Sequence, residues 1–297
     1  MGPLDAPPEQ LAALEAGRAF VDLSALRKIQ VTGSDAQGWL HDLVTTDVAS
    51  LAHGQARRSL LLSPTGRIRA DFMVGRDDEG FLLLQHPEQP GSIGNLLLPY
   101  VLSSDVTLRD RTDELSAFGL VGHAAVVAAR AGLEPSILGE GEDIIVASGK
   151  PAGRERERLV GSDLLEVGWD AREVWRIRHG QPRMGPDFDE GSLPSEAGLD
   201  ATIDATKGCF LGQESVAKVR NLGHPPTVLR RVAASSAVAA GTAVVTETAP
   251  EAGVVTSAAV AADGAGTAAI VRVRWSSAAV DLRTADGVDL VTVGSLD

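Results

Sequence analysis

The chain has 297 residues, which is long enough for two or three compact units with substantial cores. Its formal net charge is −13. This acidic balance argues against broad binding to nucleic acid or to anionic membrane, because both need a cationic surface. We therefore expect no direct nucleic-acid partner and no membrane partner.

The single cysteine, Cys209, excludes an intramolecular disulfide and fits a reducing compartment. The N-terminal residues lack the basic and apolar regions of a secretory signal, and no apolar run is long enough to cross a bilayer. These observations predict a cytoplasmic protein.

The first part of the chain, roughly residues 20–112, has the element order of an α+β unit rich in antiparallel sheet. Its clearest signal is a hairpin, because Pro64-Thr65-Gly66 is turn chemistry between two apolar runs. Either Ser34 or Asp35 is suited to cap a helix. The predicted elements are helices at 8–17, from 34 or 35 onward and at 91–102, and strands at 27–32, 59–63, 68–74, 81–85 and 106–109.

A second α+β unit, roughly residues 113–225, follows, with possible exchange of segments between the two units. The charged run Arg154–Arg158 is predicted to be a solvated turn or an exposed strand. Asp170 is predicted to cap a helix that extends to Arg178. The predicted elements are strands at 115–121, 144–147 and 163–168, and helices at 123–131, 170–178 and 213–219.

Two further features stand out near the C-terminus. Residues 180–205 are rich in Gly, Pro, Asp and Ser with little periodicity, which predicts a long loop, and long loops inside compact domains tend to be functional. Residues 226–297 contain short apolar runs separated by regular turn signals, which predicts a C-terminal β-barrel or sandwich.

The segment Lys207–Glu214 carries the most specific chemistry. Two glycines bracket the only thiol, and a predicted helix begins shortly after it. A helix N-terminus and a nearby lysine both favour a thiolate, which is the reactive form of cysteine. The alternative is that Cys209 is a small buried apolar residue beside Phe210, that Lys207 is a solvated surface lysine, and that Gln213 and Glu214 are ordinary first-turn residues.

The pattern Lys-Gly-Cys-Phe-x-Gly-Gln-Glu over residues 207–214 resembles the signature of the folate-binding YgfZ family, which is related to the aminomethyltransferase (T-protein) of the glycine cleavage system. Seven of the eight positions are fixed in that signature, and further similarity extends over most of the chain. The segments that carry it lie at 31–48, 62–72, 175–180 and 194–197, in addition to the motif.

The resemblance implies a T-protein-like ring of three parts around a cavity that binds tetrahydrofolate or a one-carbon derivative, closed by the C-terminal barrel. It also implies a role with iron–sulfur client proteins, in cluster assembly or repair and in tRNA modification. It assigns function to Lys207 and Cys209 as candidate catalytic residues. We add candidate folate-binding residues from the motif and its surroundings: Gly208, Phe210, Gly212, Gln213, Glu214, Arg178 and Arg220.

The sequence also departs from the T-protein pattern. Arg178 stands where that pattern has a glutamate that helps to hold the pterin. The T-protein also has an aspartate after the strand matched by 81–85. Residues 85–89 offer no clear equivalent of it, and Glu88 is the one carboxylate among them. For Arg220, a contact with the glutamate tail of folate and a surface position are equally open.

Three functional hypotheses follow from these residues. The first is a folate-dependent accessory protein for iron–sulfur proteins, and the second is a one-carbon transferase or demethylase. The third is a non-enzymatic interaction module that kept the fold and lost the ligand. With one cysteine and scattered histidines, no metal site is expected from the chain itself.

Overall fold

The computed structural model describes residues 2–122, 124–130, 132–133, 137–138, 142–148 and 153–296. Within these residues the helices are α1 (Pro8–Glu15), α2 (Ala36–Leu43), α3 (Ile93–Leu97), α4 (Ala124–Arg130), α5 (Gly153–Val160), α6 (Trp169–Arg178) and α7 (Gln213–Leu222). The strands are β1 (Ala19–Asp22), β2 (Arg27–Thr32), β3 (Ala56–Leu62), β4 (Ile68–Arg76), β5 (Phe81–Gln85), β6 (Thr107–Asp110), β7 (Leu115–Val121), β8 (Ile137–Leu138), β9 (Glu142–Ser148), β10 (Leu165–Val167), β11 (Thr227–Ala234), β12 (Ala243–Val245), β13 (Gly253–Val260), β14 (Thr267–Arg274), β15 (Leu282–Thr284) and β16 (Asp289–Ser295).

The first sheet has the strand order β3-β4-β5-β2-β6, and its neighbours pair antiparallel. The predicted hairpin forms its β3–β4 edge, with Gly66 at φ +73° in the connecting turn, where a glycine has no steric penalty. One face packs against α2 and α3 in an apolar core that includes Leu40, Val44, Leu83 and Ile93. The opposite face of the sheet is not covered by these two helices.

The second sheet has the order β10-β1-β7-β9-β8. Strand β1, from the beginning of the chain, lies parallel to β10 and antiparallel to β7, so this sheet combines early and late segments. Every residue of the central strand β7 is buried, which is expected where helices or other layers cover both faces. Helix α6 packs under this sheet through Ala171, Val174 and Ile177, whose spacing places them on one helical face.

The C-terminal strands form a closed barrel in the order β11-β14-β13-β12-β15-β16. The alternation of small and branched apolar residues fills its interior with side chains such as Val232, Val255, Ala269 and Val271. Closure removes the free strand edges that an open sheet would expose. The α+β prediction with antiparallel-rich sheets and a C-terminal barrel is confirmed.

Two predicted elements were wrong in type or length. The run Arg154–Arg158 lies in helix α5, where the charges occupy the exposed sides and Leu159 is buried. The helix predicted at 91–102 is shorter: α3 ends at Leu97 and one 3-10 turn follows, because Pro99 has no N–H to continue the α-helical hydrogen bonds.

One predicted helix cap was right in position but makes no capping bond, and a second was wrong. Asp35 occupies the N-cap position of α2, but its carboxylate accepts a hydrogen bond from the backbone N–H of Asp105 instead of from its own helix. Helix α6 begins after Gly168, so Asp170 lies in its first turn. The predicted ends His123 and Ala131 of the helix around α4 lie outside the described residues. In the described part of the chain, no helix combines the length and the apolar character needed to cross a membrane.

Candidate functional site

A cavity of about 400 Å³ lies between the open face of the first sheet, the second sheet and helix α6. Its apolar lining comes from side chains such as Leu23, Leu26, Met73, Leu84 and Ile144. Part of the predicted long loop, at 180–183, 198–199 and 201–202, completes the wall. None of these lining residues comes from the barrel, and the expectation that the barrel closes the folate cavity stays a prediction.

The polar lining of this cavity is rich in arginine. Five guanidinium groups contribute to it, from Arg57, Arg58, Arg172, Arg176 and Arg183. The acidic side chain among the lining residues is Asp71. Arg58, Arg176 and Arg183 are paired with carboxylates, whereas Arg57 donates to neutral oxygens, so the cavity favours an anionic ligand mainly beside Arg57.

Arg58 and Asp71 form a bidentate ion pair across the β3–β4 hairpin, with Nε–Oδ1 and Nη2–Oδ2 distances of 2.8 and 2.7 Å. The same Nη2 donates to the carbonyl of Pro182 at 2.8 Å, which ties the loop to the sheet. Burial alone would lower the pKa of Arg58, but the Asp71 carboxylate outweighs it and raises that pKa. Both oxygens of Asp71 are therefore committed to Arg58.

Arg176 and Asp187 form the second fixed pair. Arg176 Nη1 donates to Asp187 Oδ2 at 2.7 Å, and Arg176 Nε donates to Glu173 at 2.8 Å. The completely buried Asp187 carboxylate also accepts hydrogen bonds from the hydroxyls of Thr256 and Ser257 on β13 of the barrel. This pair joins α6, the loop and the barrel, and it orients one arginine at the cavity wall.

Arg183 and His86 form a third group. Arg183 donates to Glu88 at 2.9 Å and contacts the His86 ring, which packs edge-on against Trp169. Burial, together with the nearby Arg183 charge, lowers the pKa of His86 to about 4. His86 is therefore a neutral imidazole at physiological pH, with one donor and one acceptor nitrogen.

The loop that carries His86 is held by an amide network. Gln89 donates to the carbonyl of Asp71 at 2.6 Å and its side-chain oxygen accepts from the Asp71 N–H at 3.1 Å. Gln85 donates to Gln89, and Arg27 donates to the carbonyls of residues 87, 89 and 91. These bonds fix the loop, so that His86 and Gln89 stand at defined positions in the cavity lining.

Lys207, the first residue of the predicted motif, is buried and does not line this cavity. Its Nζ donates to the carbonyls of His41, Val44 and Thr46. An ammonium has three N–H donors, and these three carbonyls use all of them. Two of these carbonyls lie at the C-terminal end of α2, where helices leave unsatisfied acceptors and favour a cation. Burial lowers the pKa of Lys207 to about 8, so the ammonium still predominates at neutral pH.

Most other motif positions also have a packing role. Phe210 belongs to an apolar core beneath the hairpin, and Lys207 Nζ lies 5.4 Å from its ring centroid. Gly212 has φ +85° and lies so close to the hairpin that an added Cβ would stand 2.5 Å from the Ser63 carbonyl oxygen. The Gln213 side chain accepts a hydrogen bond from the Phe210 N–H. The motif therefore seats α7 on the β3–β4 hairpin.

Gly208, Cys209 and Glu214 are the exposed members of the motif. Arg220 is also exposed, on α7. Arg178 is buried, but its guanidinium donates to the barrel carbonyls of residues 260 and 261. The structure thus brings the motif residues together beside the hairpin, and none of the nine predicted site residues is among the residues that line the cavity.

Sequence reasoning missed the residues that do line the cavity. The five arginines come from β3, α6 and the loop, and no local spacing connects them. One signal was available: the predicted hairpin brings 58 and 71 to the same region, and an arginine and an aspartate in facing strands are candidates for an ion pair. Among the described residues, no group of three or more His, Cys, Asp or Glu side chains is placed to hold a metal ion.

The whole architecture is that of the T-protein fold. The structure superposes on the glycine cleavage system aminomethyltransferase T from Bartonella henselae with a TM-score of 0.84, over 99% of this chain and 91% of that one, at 22% sequence identity. The sequence profile of the GCVT N-terminal domain matches residues 7–132. The two five-stranded sheets with their packed helices and the closed six-stranded barrel agree with this fold.

Relatives with curated names are similar at a comparable level. The aminomethyltransferase of Pelodictyon phaeoclathratiforme is 25% identical over 239 residues, and that of Chlorobium chlorochromatii is 26% identical over 246 residues. These alignments cover 70% and 72% of this chain and 66% of each relative, so the chain spans just under two thirds of their length. A protein of Haemophilus influenzae described as uncharacterized is 26% identical over 214 residues, which is 69% of each chain.

The contacts of Lys207 predict that its substitution destabilises the protein, whereas substitution of the exposed Cys209 does not. Lys207→Met leaves three carbonyls without their donor, and we expect the free energy of unfolding to fall by about 2 kcal/mol or more. Cys209→Ala removes an exposed side chain and is expected to change it by less than about 0.5 kcal/mol. Urea unfolding of both variants checks this, and equal stability of Lys207→Met and wild type would show that the carbonyl contacts contribute nothing.

The low pKa of His86 predicts a pH dependence of stability. The unfolded chain protonates this ring below about pH 6.5, whereas the folded chain protonates it only below about 4. Unfolding therefore takes up a proton between these values, and stability falls as the pH is lowered through this window. His86→Gln should show a smaller loss between pH 6.5 and 4 in urea unfolding, and identical pH profiles would contradict a neutral buried His86.

Proposed function

We propose that the chain binds a reduced folate in the arginine-lined cavity and serves as a folate-dependent accessory protein in iron–sulfur cluster assembly or repair. The observation that carries the folate part is the cavity itself. It combines an apolar floor, fixed amide and imidazole groups, and a cationic wall within the T-protein fold. The iron–sulfur part rests on the signature at 207–214.

The chemistry of the cavity fits the parts of tetrahydrofolate. A pterin and an aminobenzoyl ring have apolar faces that suit Met73, Leu84 and Ile144, and polar edges that suit amides such as Gln89. A volume of about 400 Å³ lies within the usual range for small-molecule sites. This volume also argues against the hypothesis of a fold that has lost its ligand.

The glutamate tail of folate needs cationic partners, and Arg57 is the cavity arginine best suited to it. Arg57 donates to neutral oxygens, the carbonyl of Asp47 and the Ser50 hydroxyl. Arg58 and Arg176, in contrast, are held by the carboxylates of Asp71 and Asp187. A ligand carboxylate can therefore form an ion pair with Arg57 without displacing a carboxylate of the protein.

Arg172 supplies a second cation to the same cavity. Its guanidinium lies over the Trp169 ring, with the carbon at 5.4 Å from the ring centroid, so an aromatic face helps to position it at the wall. We therefore place the folate carboxylates beside Arg57 and Arg172. Arg57 and Arg172, rather than Arg220, therefore make the proposed contact with the glutamate tail.

Substitution of these arginines should weaken folate binding. A charge-assisted hydrogen bond to a carboxylate contributes about 1.5–3 kcal/mol, so Arg57→Ala and Arg172→Ala should each raise the Kd for tetrahydrofolate by about tenfold or more. The matched control is Arg154→Ala, which removes an exposed arginine on α5 outside the cavity. Calorimetric titration of tetrahydrofolate measures these three variants and Arg220→Ala. Equal affinities, or a loss only in Arg220→Ala, would contradict this placement.

Cys209 carries the iron–sulfur part of the proposal. Its neighbours are fixed by the Lys207 contacts, the buried Phe210 ring and the close packing of Gly212, whereas the cysteine itself is exposed. A thiol held by rigid neighbours at the surface is accessible to a client protein or to its cluster. It is separated from the cavity lining, which supports a role toward a partner rather than toward the folate.

Complementation separates this role from a packing role. In cells that lack the protein, Cys209→Ser and Cys209→Ala should fold with near-native melting temperature yet fail to restore iron–sulfur enzyme activity under oxidative stress. Wild type should restore it. Normal activity of those enzymes in the deletion strain would reject the iron–sulfur role, and a large drop in melting temperature of both variants would make the cysteine structural.

A one-carbon transferase is the second candidate, favoured by the fold and by relatives named aminomethyltransferase. Two observations weigh against it: Asp71, the carboxylate of the cavity lining, is committed to Arg58, and Arg178 binds barrel carbonyls at the position of the pterin-binding glutamate. Formation of methylenetetrahydrofolate from an aminomethyl donor would support this candidate over the accessory role.

A further inference from the structure

A second depression lies on the opposite side of the first sheet's core, between helix α2 and the loop 98–105. It is an open groove of about 500 Å³. The Trp39 indole donates to the carbonyl of Tyr100 at 2.8 Å, and the Ser34 hydroxyl donates to Asp105 at 2.8 Å, so the two walls are tied together. Its lining residues are Ser34, Asp35, Gly38, Trp39, Asp42, Leu43, Tyr100 and Ser104.

The loop wall exposes apolar side chains to an unusual extent. Leu102 is 88% exposed and Leu98 is 61% exposed, and they flank the lining residue Tyr100 along the chain. Leu102 also has φ +42°, a backbone conformation that is unfavourable for a leucine. Glycine or asparagine would satisfy the backbone there, and a polar residue would suit the exposure. Folding alone therefore does not explain a leucine at this position.

The charges of the groove have one sign. The charged residues that line it are Asp35 and Asp42, and Asp105 adds a third carboxylate at its end. Lys207, whose Nζ binds carbonyls at the end of α2, is buried and is not among the lining residues of the groove. A partner segment that fills this groove therefore matches it best with an apolar anchor flanked by lysine or arginine.

The groove is also continuous with the segment that bears Cys209. The N–H of Leu211 donates to the carbonyl of Asp42 at 3.0 Å, so the lining residue Asp42 is joined directly to the chain two residues after the cysteine. The Leu211 side chain packs against the core beneath the groove. A partner seated in the groove lies next to the exposed thiol.

We propose that this groove, together with Leu98 and Leu102, is a docking surface for a basic, apolar segment of a partner protein. That the partner is an iron–sulfur client rests on the proposed function, whereas the surface itself rests on the exposed leucines and the carboxylates. The surface uses side chains separate from the arginine-lined cavity, so loss of docking and loss of folate binding are independent results.

Site-specific photo-crosslinking in the full chain tests this surface. The variant Leu102→p-benzoylphenylalanine is produced in the host cells of the protein. The control is Val280→p-benzoylphenylalanine, because Val280 is a 49% exposed apolar residue outside the groove. After irradiation, the crosslinked segments are mapped by mass spectrometry. We expect a partner segment with an apolar residue flanked by lysine or arginine to dominate at 102 and to be absent at 280.

The synthetic peptide of that segment then serves as the probe for binding. We expect Leu102→Gly and Asp42→Lys each to raise its Kd by about tenfold or more, with Leu102→Gly melting no lower than wild type and both variants binding tetrahydrofolate normally. Crosslinks at 102 that equal those at 280, that map to acidic segments, or that map to a second copy of this chain would overturn the proposal. A mapped basic segment from a protein without iron–sulfur chemistry would leave the surface standing and reject the client assignment.

Discussion

The buried carboxylate of Asp187 receives hydrogen bonds from three separate parts of the chain. Arg176 reaches it from α6, the Arg183 N–H from the loop, and the Thr256 and Ser257 hydroxyls from the barrel. A buried charge is tolerated only when its oxygens are fully paired, and removal of one partner of such a pair costs about 3–5 kcal/mol. The relative position of these three parts therefore depends on this one group, and with it the wall of the cavity.

The same principle organises the cavity lining. Arginine is a strongly cationic residue, and five of them in one concave site repel each other unless carboxylates and dipoles hold them apart. Asp71 and Asp187 fix Arg58 and Arg176, and Glu88 and Glu173 hold Arg183. Because these groups are in place before a ligand binds, little side-chain entropy is lost on binding, which favours affinity for an anion.

The motif and the cavity occupy separate positions next to the hairpin. Lys207 closes the end of α2 and Gly212 lets α7 approach the hairpin, and both keep the Cys209 segment rigid at the surface. Thr46 connects the two regions, since its carbonyl accepts from Lys207 and the residue also lines the cavity. An exposed thiol, an acidic, apolar groove and a separate arginine-lined cavity are consistent with a protein that binds a small anion and meets a partner.

Much of the fold was accessible from the sequence, because its signals are local. Pro64-Thr65-Gly66 set the hairpin, and the short apolar runs after 226 set the barrel. The helix over Arg154–Arg158 was missed, since its apolar face holds little more than Leu159. The cavity as a whole could not be predicted, because its arginines are brought together by tertiary pairing. The hairpin indicates only one pair, Arg58 and Asp71, and these are diagonal neighbours, since Arg58 pairs with Met73 and Leu60 pairs with Asp71. The motif is visible in the sequence, but buried carbonyls and a close backbone approach demand a lysine and a glycine just as a ligand site does, so the sequence alone does not separate these roles for Lys207 and Gly212.

A crystal structure of the protein with tetrahydrofolate tests the central claim most directly. We expect the pterin to lie on the apolar floor formed by Met73 and Leu84, the carboxylate tail to lie within hydrogen-bond distance of Arg57 or Arg172, and Cys209 to remain outside the site. A folate seated against Lys207–Glu214, or an empty cavity at a ligand concentration that saturates the protein in solution, would contradict it.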